Sequence, residues 1–172
     1  AGRWREWDPN TLVVVRAGDY ENWQRSGLWK SWDPQEVLVS EGEYVEGNKV
    51  GKWTWYKEGE DKGWEENYNN GVLHGKFNNL SPYAKIRGVG SFSEGVKTGE
   101  WEEYYSSADG SLERSQSGAY QFGKKVGIWS LYAKNGRRIA EGSYKDDIKE
   151  GEWTEGQDID SVSYTHLTLP TS

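Results

Sequence analysis

Hydrophobic positions along this chain fall singly or in short groups between polar residues and glycine; the longest aliphatic run is Leu12-Val13-Val14-Val15. The stretch EGEYVEGNKVGKWTWY at 41–56 returns in altered form as GSFSEGVKTGEWEEYY at 90–105 and GAYQFGKKVGIWSLY at 118–132. Three columns stay in register. Glycines stand at 2, 27, 51, 75, 99, 127 and 151, each two residues before a ring: Trp4, Trp29, Trp53, Phe77, Trp101, Trp129 and Trp153. A second ring column runs through Tyr20, Tyr44, Tyr68, Phe92, Tyr120 and Tyr144, and a third through Trp7, Trp32, Tyr56, Leu80, Tyr104 and Tyr132. The period is 24 residues, with a first step of 25 from Gly2 to Gly27 and one stretch to 28 across SSADGSLERS, where a loop absorbs the excess.

Each repeat predicts two short strands joined by tight turns. One turn carries paired glycines (Gly47 and Gly51, Gly71 and Gly75, Gly95 and Gly99, Gly123 and Gly127), residues that accept the positive φ of hairpin turns. The other is marked by Asp8-Pro9, Asp33-Pro34, Ser81-Pro82, Asp109-Gly110 and Asn135-Gly136. No helical periodicity intervenes, and parallel strands need a long crossover, so consecutive strands must be antiparallel. The predicted fold class is all-β: an open-ended, single-layer antiparallel meander of β-hairpin repeats, about twelve strands from six repeats. The array is placed at residues 1–160, with a partial repeat from Gly151.

A glycine sits two residues before the Tyr column at Gly18, Gly42, Gly90, Gly118 and Gly142, with Glu66 the exception. A symmetric turn centred near Gly47 and Asn48 would set Gly42 opposite Trp53, so that an indole lies across bare backbone. A three-residue turn with a bulge would shift that pairing, and the sequence leaves both open. Side chains alternate along a strand, so Trp53 and Tyr56 are expected on opposite faces. Both ring rows can be structural in a thin sheet. The functional alternative makes the row Trp7, Trp32, Tyr56, Tyr104 and Tyr132 a contact surface for a partner.

Composition narrows the partners. Rings make up 15% of the chain, with 11 Trp and 11 Tyr, so stacked aromatics are the available glue. The net charge of −7 disfavours nucleic acid and any more than weak contact with an anionic membrane. Lys49, Lys52, Lys97, Lys124 and Lys125, near one row of turns, are the cations such a membrane would need. Cysteine is absent, and with it thiolate sites and disulfides. His74, the one histidine before the final segment, reads as a solvated turn residue, and the acidic stretch EGEDKGWEE at 58–66 lacks calcium-loop ligand order. No catalytic residue, metal site or cofactor is expected, and the array should act as a monomer. The chain lacks Met even at residue 1, which reads as a fragment, and VSYTHLTLPTS at 162–172 resembles translated sequencing-adapter read-through. Residues 161–172 are therefore set apart as a non-native or disordered tail.

The phrase Gly42-Glu43-Tyr44-Val45-Glu46-Gly47-Asn48-Lys49-Val50-Gly51-Lys52-Trp53 resembles a MORN repeat, whose core is G-x-aromatic-x-x-G-x-x-x-G. The W-x-x-Y that follows and the 24-residue period are most similar to the bacterial variant often labelled an antitoxin component of toxin–antitoxin systems. The resemblance implies a non-catalytic repeat protein that binds a protein partner. A carbohydrate- or choline-binding surface module, also rich in Trp and Tyr hairpins, is the competing expectation.

Overall fold

The computed structural model describes residues 2–56, 63–81, 86–105 and 111–155. The tail set apart above and part of the long fifth-repeat loop lie outside them. The described chain is all-β. Its strands are β1 (Gly2–Trp7), β2 (Val14–Glu21), β3 (Gln24–Trp32), β4 (Leu38–Val45), β5 (Asn48–Trp55), β6 (Trp64–Asn69) and β7 (Val72–Leu73). There follow β8 (Gly75–Asn79), β9 (Gly88–Ser93), β10 (Val96–Tyr104), β11 (Arg114–Gln121), β12 (Lys124–Tyr132), β13 (Arg138–Lys145) and β14 (Ile148–Glu155). They form one open antiparallel sheet in chain order, with β7 paired to β6. The count of fourteen exceeds the expected twelve for two reasons. The partial repeat contributes β14, and the strand containing His74 is broken there into β7 and β8.

Two compact units divide the sheet: Ala1–Asn79 with Phe92–Gly95, and Leu80–Ser91 with Val96–Ser172. In the first, the chain turns from β4 to β5 through Glu46 and Gly47, both with positive φ (48° and 79°), a type I′ turn whose twist suits a hairpin. Val45 faces Asn48 and Glu43 faces Val50, but Glu41 faces Thr54, so the register slips between them. Gly51, at φ 61°, occupies the slip. The turn therefore sits one residue earlier than a symmetric hairpin would put it, and the bulge restores the alignment of Gly42 with Trp53. Neither turn that the sequence offered occurs as such: the loop has two residues and sits early, yet the Gly42–Trp53 alignment of one alternative and a bulge, as in the other, are both present. Turns also tie successive hairpins: Gly47 N–H donates to the Arg25 carbonyl (2.9 Å) and Gly71 N–H to the Lys49 carbonyl (2.8 Å).

The indole–glycine contact supplies the core. Trp29 and Trp53 in the first unit, and Trp101 and Trp129 in the second, are at most 5% exposed although the sheet has one layer. Each indole lies flat over a glycine of the preceding strand. A Cβ on Gly18, Gly42, Gly90 or Gly118 would lie within 2.2–2.5 Å of the ring. Each ring N–H donates to the carbonyl one residue beyond that glycine (Asp19, Glu43, Ser91 and Ala119), at 3.0–3.1 Å. Tyrosines wedge edge-on between indoles, as Tyr44 does at 5.9 Å from Trp29 and 5.0 Å from Trp53. Tyr120 stands likewise between Trp101 and Trp129, at 6.1 and 5.0 Å. Burying roughly 200 Å² of each indole is worth about 5 kcal/mol before chain entropy is counted.

The repeat with Phe77 breaks the pattern coherently. Glu66 occupies the glycine column opposite Trp53, and its carboxylate accepts from the Tyr68 hydroxyl at 2.7 Å. A side chain there leaves no room for an indole, and the smaller Phe77, buried against Phe92 at 5.1 Å, takes its place.

Two substitutions test this account. Gly42→Ala should destabilise the protein by about 2–3 kcal/mol in chemical denaturation, because the new methyl overlaps Trp53, whereas Gly2→Ala, with nothing within 4 Å, should be near neutral. Trp23 holds φ 67° at the second position of the first turn, where four of the other five hairpins use glycine, and is 98% exposed. Trp23→Gly should therefore raise the melting temperature, by the equivalent of about 1 kcal/mol.

Candidate functional site

The face that carries the indoles has a cover of its own. The residue four before each ring is Arg25, Lys49, Leu73, Lys97, Lys125 or Lys149. The Arg25 guanidinium lies 4.6 Å from the Trp29 ring centre, and the Lys49 ammonium 4.2 Å from Trp53 and 4.8 Å from Trp55. In the second unit Lys97, Lys125 and Lys149 lie 4.5, 4.4 and 4.1 Å from Trp101, Trp129 and Trp153. Apolar stems shield the rings while the charged heads sit in the ring quadrupole. Burial pushes the Lys49 ammonium below its usual range, with Glu66 opposing and Arg25 reinforcing the shift. The Lys125 ammonium is lowered likewise, Glu103 and Asp147 opposing. Sequence reading placed Lys49, Lys97 and Lys125 near one row of turns but missed that, with Arg25 and Lys149, they form a column in register with the rings.

Glu103 anchors the cover in the second unit. Its carboxylate pairs with Lys97 and accepts from the Gln116 amide and from the Tyr120 hydroxyl, the last at 2.9 Å. Burial raises this carboxyl, but the hydrogen bond and charge of Lys97, helped by Gln116 and Tyr120, outweigh it and hold it below the ordinary range. The Gln116 carbonyl in turn accepts from Lys125 at 2.7 Å.

The opposite face carries the row singled out from sequence, and alternation places all five rings there. Trp7 is exposed, whereas Trp32, Tyr56, Tyr104 and Tyr132 are half-buried, so this row is wetter than the indole column, a choice the sequence left open. In the first unit Trp32 lines a shallow hollow of about 470 Å³ with Arg3, Arg5, Leu28 and Lys30. The Tyr56 hydroxyl donates to Glu41 at 2.6 Å, a bond that pushes the phenol up to about 12. In the second unit the Tyr104 hydroxyl donates to Glu102 at 2.8 Å. Arg114 bonds the same carboxylate at 2.7 Å and lies 5.4 Å from the Tyr132 ring. Burial alone would raise the Tyr132 phenol, but hydrogen bonds from Ser117, Arg114 and Ser130, and the charge of Arg114, carry it down.

Other candidates are tied up locally. Lys49, Lys97 and Lys125 fold over rings, and Lys52 pairs with Glu65 at 3.1 Å, which leaves little of the basic row free for a membrane. His74 interrupts a strand rather than sitting in a tight turn, with its Nδ1 3.1 Å from the Glu94 carboxylate. No group of three metal-ligating side chains occurs among the described residues, and most of the acidic stretch at 58–66 lies outside them. No protein-family model matches this chain, and no curated protein matches it either.

Acid titration should expose the role of Glu103. Its pKa is lower folded than unfolded, so its contribution is present above the ordinary carboxylate pKa of about 4.3 and is lost as pH falls through the folded value. Glu103→Gln should cost about 1–2 kcal/mol at neutral pH. Melting curves of variant and parent should converge as pH drops below about 4.

Proposed function

We propose that this chain is a non-catalytic repeat scaffold that binds a protein partner through the face bearing Trp7, Trp32, Tyr56, Tyr104 and Tyr132. One observation carries the reading: the tyrosines there are fixed in place before any partner arrives. Tyr56 is locked by Glu41, and Tyr104 by Glu102, which also holds Arg114 against Tyr132. Rings already ordered lose little entropy on binding, and Tyr, Trp and Arg are the side chains that dominate protein interfaces. The carboxylates beside them and the net charge of −7 favour a partner with a basic surface. The resemblance to MORN repeats points the same way.

A choline-binding reading has less support. The ring faces where a quaternary ammonium would sit already hold Arg25, Lys49, Lys97 and Lys125. A glycan array checks the carbohydrate reading separately.

The test is a partner retained from native-host lysate by the intact chain, identified and then titrated against purified variants. Tyr104→Ala and Tyr132→Ala should each weaken binding about 5- to 30-fold, or about 1–2 kcal/mol. Lys149→Gln, on the indole-bearing side over Trp153, should leave it unchanged. Equal affinity for all three variants would remove this face from the interaction.

A further inference from the structure

The two units treat one position differently, and the difference opens a site. Ser31 follows Trp29 by two residues, as Glu103 follows Trp101, and Ser40 precedes Gly42 by two, as Gln116 precedes Gly118. The sheet pairs them alike: Ser31 with Ser40, Glu103 with Gln116. Arg25 and Tyr44 stand where the second unit has Lys97 and Tyr120. In the second unit the Glu103 carboxylate fills the space between that cation, the amide and the phenol. In the first unit two serines leave the space empty of side chain, their hydroxyls bonded to each other at 2.7 Å.

The result is a hollow of about 460 Å³, floored by Trp29 and Trp53 and lined by Arg16, Arg25, Ser31 and Lys49 among others. No acidic residue lines it among the described residues. Arg16 is paired with Glu6 at 3.1 Å. Arg25 donates to the Tyr44 hydroxyl at 3.0 Å and has no carboxylate partner among the described residues, whereas Lys49 feels the charge of Glu66. A partly buried cation over an aromatic floor, beside two hydroxyls, attracts an anion more strongly than the same cation in open solvent. The chain itself shows which anion fits, because Glu103 is a glutamate side chain seated in the equivalent place.

We propose that the hollow over Trp29 binds the carboxylate of a glutamate or aspartate side chain presented by an acidic peptide. Arg25 would take the role Lys97 plays toward Glu103, with Tyr44 and the serine hydroxyls completing the oxygen contacts. This site lies on the indole-bearing face and does not depend on the partner surface proposed above.

Titration calorimetry of the intact chain at low ionic strength, with acetyl-tetraglutamate amide as probe, tests the proposal. Saturable binding of one peptide per chain is expected, with no heat from acetyl-tetraglutamine amide. Transplanting the internal ligand, S31E/S40Q, should weaken binding at least about tenfold while near-ultraviolet circular dichroism stays that of the parent. Should that variant fail to fold, Arg25→Gln decides, with the same loss expected. Unchanged affinity in the deciding variant, equal heats for the two peptides, or tighter binding of free glucuronate than of the peptide would each overturn the proposal.

Discussion

An indole lying flat on bare backbone is the contact from which the rest of this sheet follows. The ring needs a strand with no side chain beneath it, since a Cβ on Gly42 would come within 2.2 Å of Trp53. It also needs a carbonyl under its N–H, which Glu43 supplies at 3.1 Å. Sliding the strand by one residue would remove both and bring a side chain from the other face under the ring. The hairpin must therefore satisfy two demands at once. A two-residue type I′ turn sets one register, the indole requires another, and the bulge at Gly51 reconciles them. The paired glycines of each repeat thus have separate tasks, one closing the turn and one correcting the alignment that the turn leaves.

That division explains what could be read in advance. The meander and the split of rings between faces follow from spacing and alternation. The opposition of Gly42 to Trp53 was one of two registers left open, because an early turn and a bulge offset each other and leave no net trace in residue counts. Glu66 and Phe77 stood out in the sequence as two separate irregularities. Folded, they are one event, since a side chain in the glycine column excludes an indole opposite. That Lys49, Lys97 and Lys125 cover the rings, rather than only lining a row of turns, escaped notice for a different reason. In a chain with 28% charged residues a lysine every repeat reads as solvated surface, and Leu73 interrupts the series.

Repetition within a single chain separates what the fold requires from what each repeat is free to vary. Glycine, indole and wedged tyrosine recur because the core is built from them. The position two after the ring holds Glu6, Ser31, Trp55, Asn79, Glu103, Leu131 and Glu155: glutamate three times, otherwise a hydroxyl, an indole, an amide or an aliphatic chain. It shares a face with the indoles but lies outside the stacking that the fold depends on. Differences in binding among repeats are most easily accommodated there, and Trp55 shows how far the position can go, stacking on Trp64 at 5.8 Å with nearly parallel planes.

A sheet of one layer must find its second layer somewhere, and here it is made of arginine and lysine stems. This solution has an electrostatic consequence that an aliphatic layer would not. The heads of Lys49 and Lys125 are partly desolvated, and burial lowers the pKa of each. A cation in that position is stable only if something nearby offsets the lost hydration. Aromatic faces do part of this, and in the second unit Glu103 and Gln116 do more. In the first unit serines stand in their place, and the offset for Lys49 falls to the rings and to the charge of Glu66. The covering cations of the two units are thus alike in position but unequal in neutralisation. The same architecture hides an indole almost completely in both units, and in the first it leaves the Arg25 guanidinium above Trp29 with a phenol as partner and no carboxylate among the described residues.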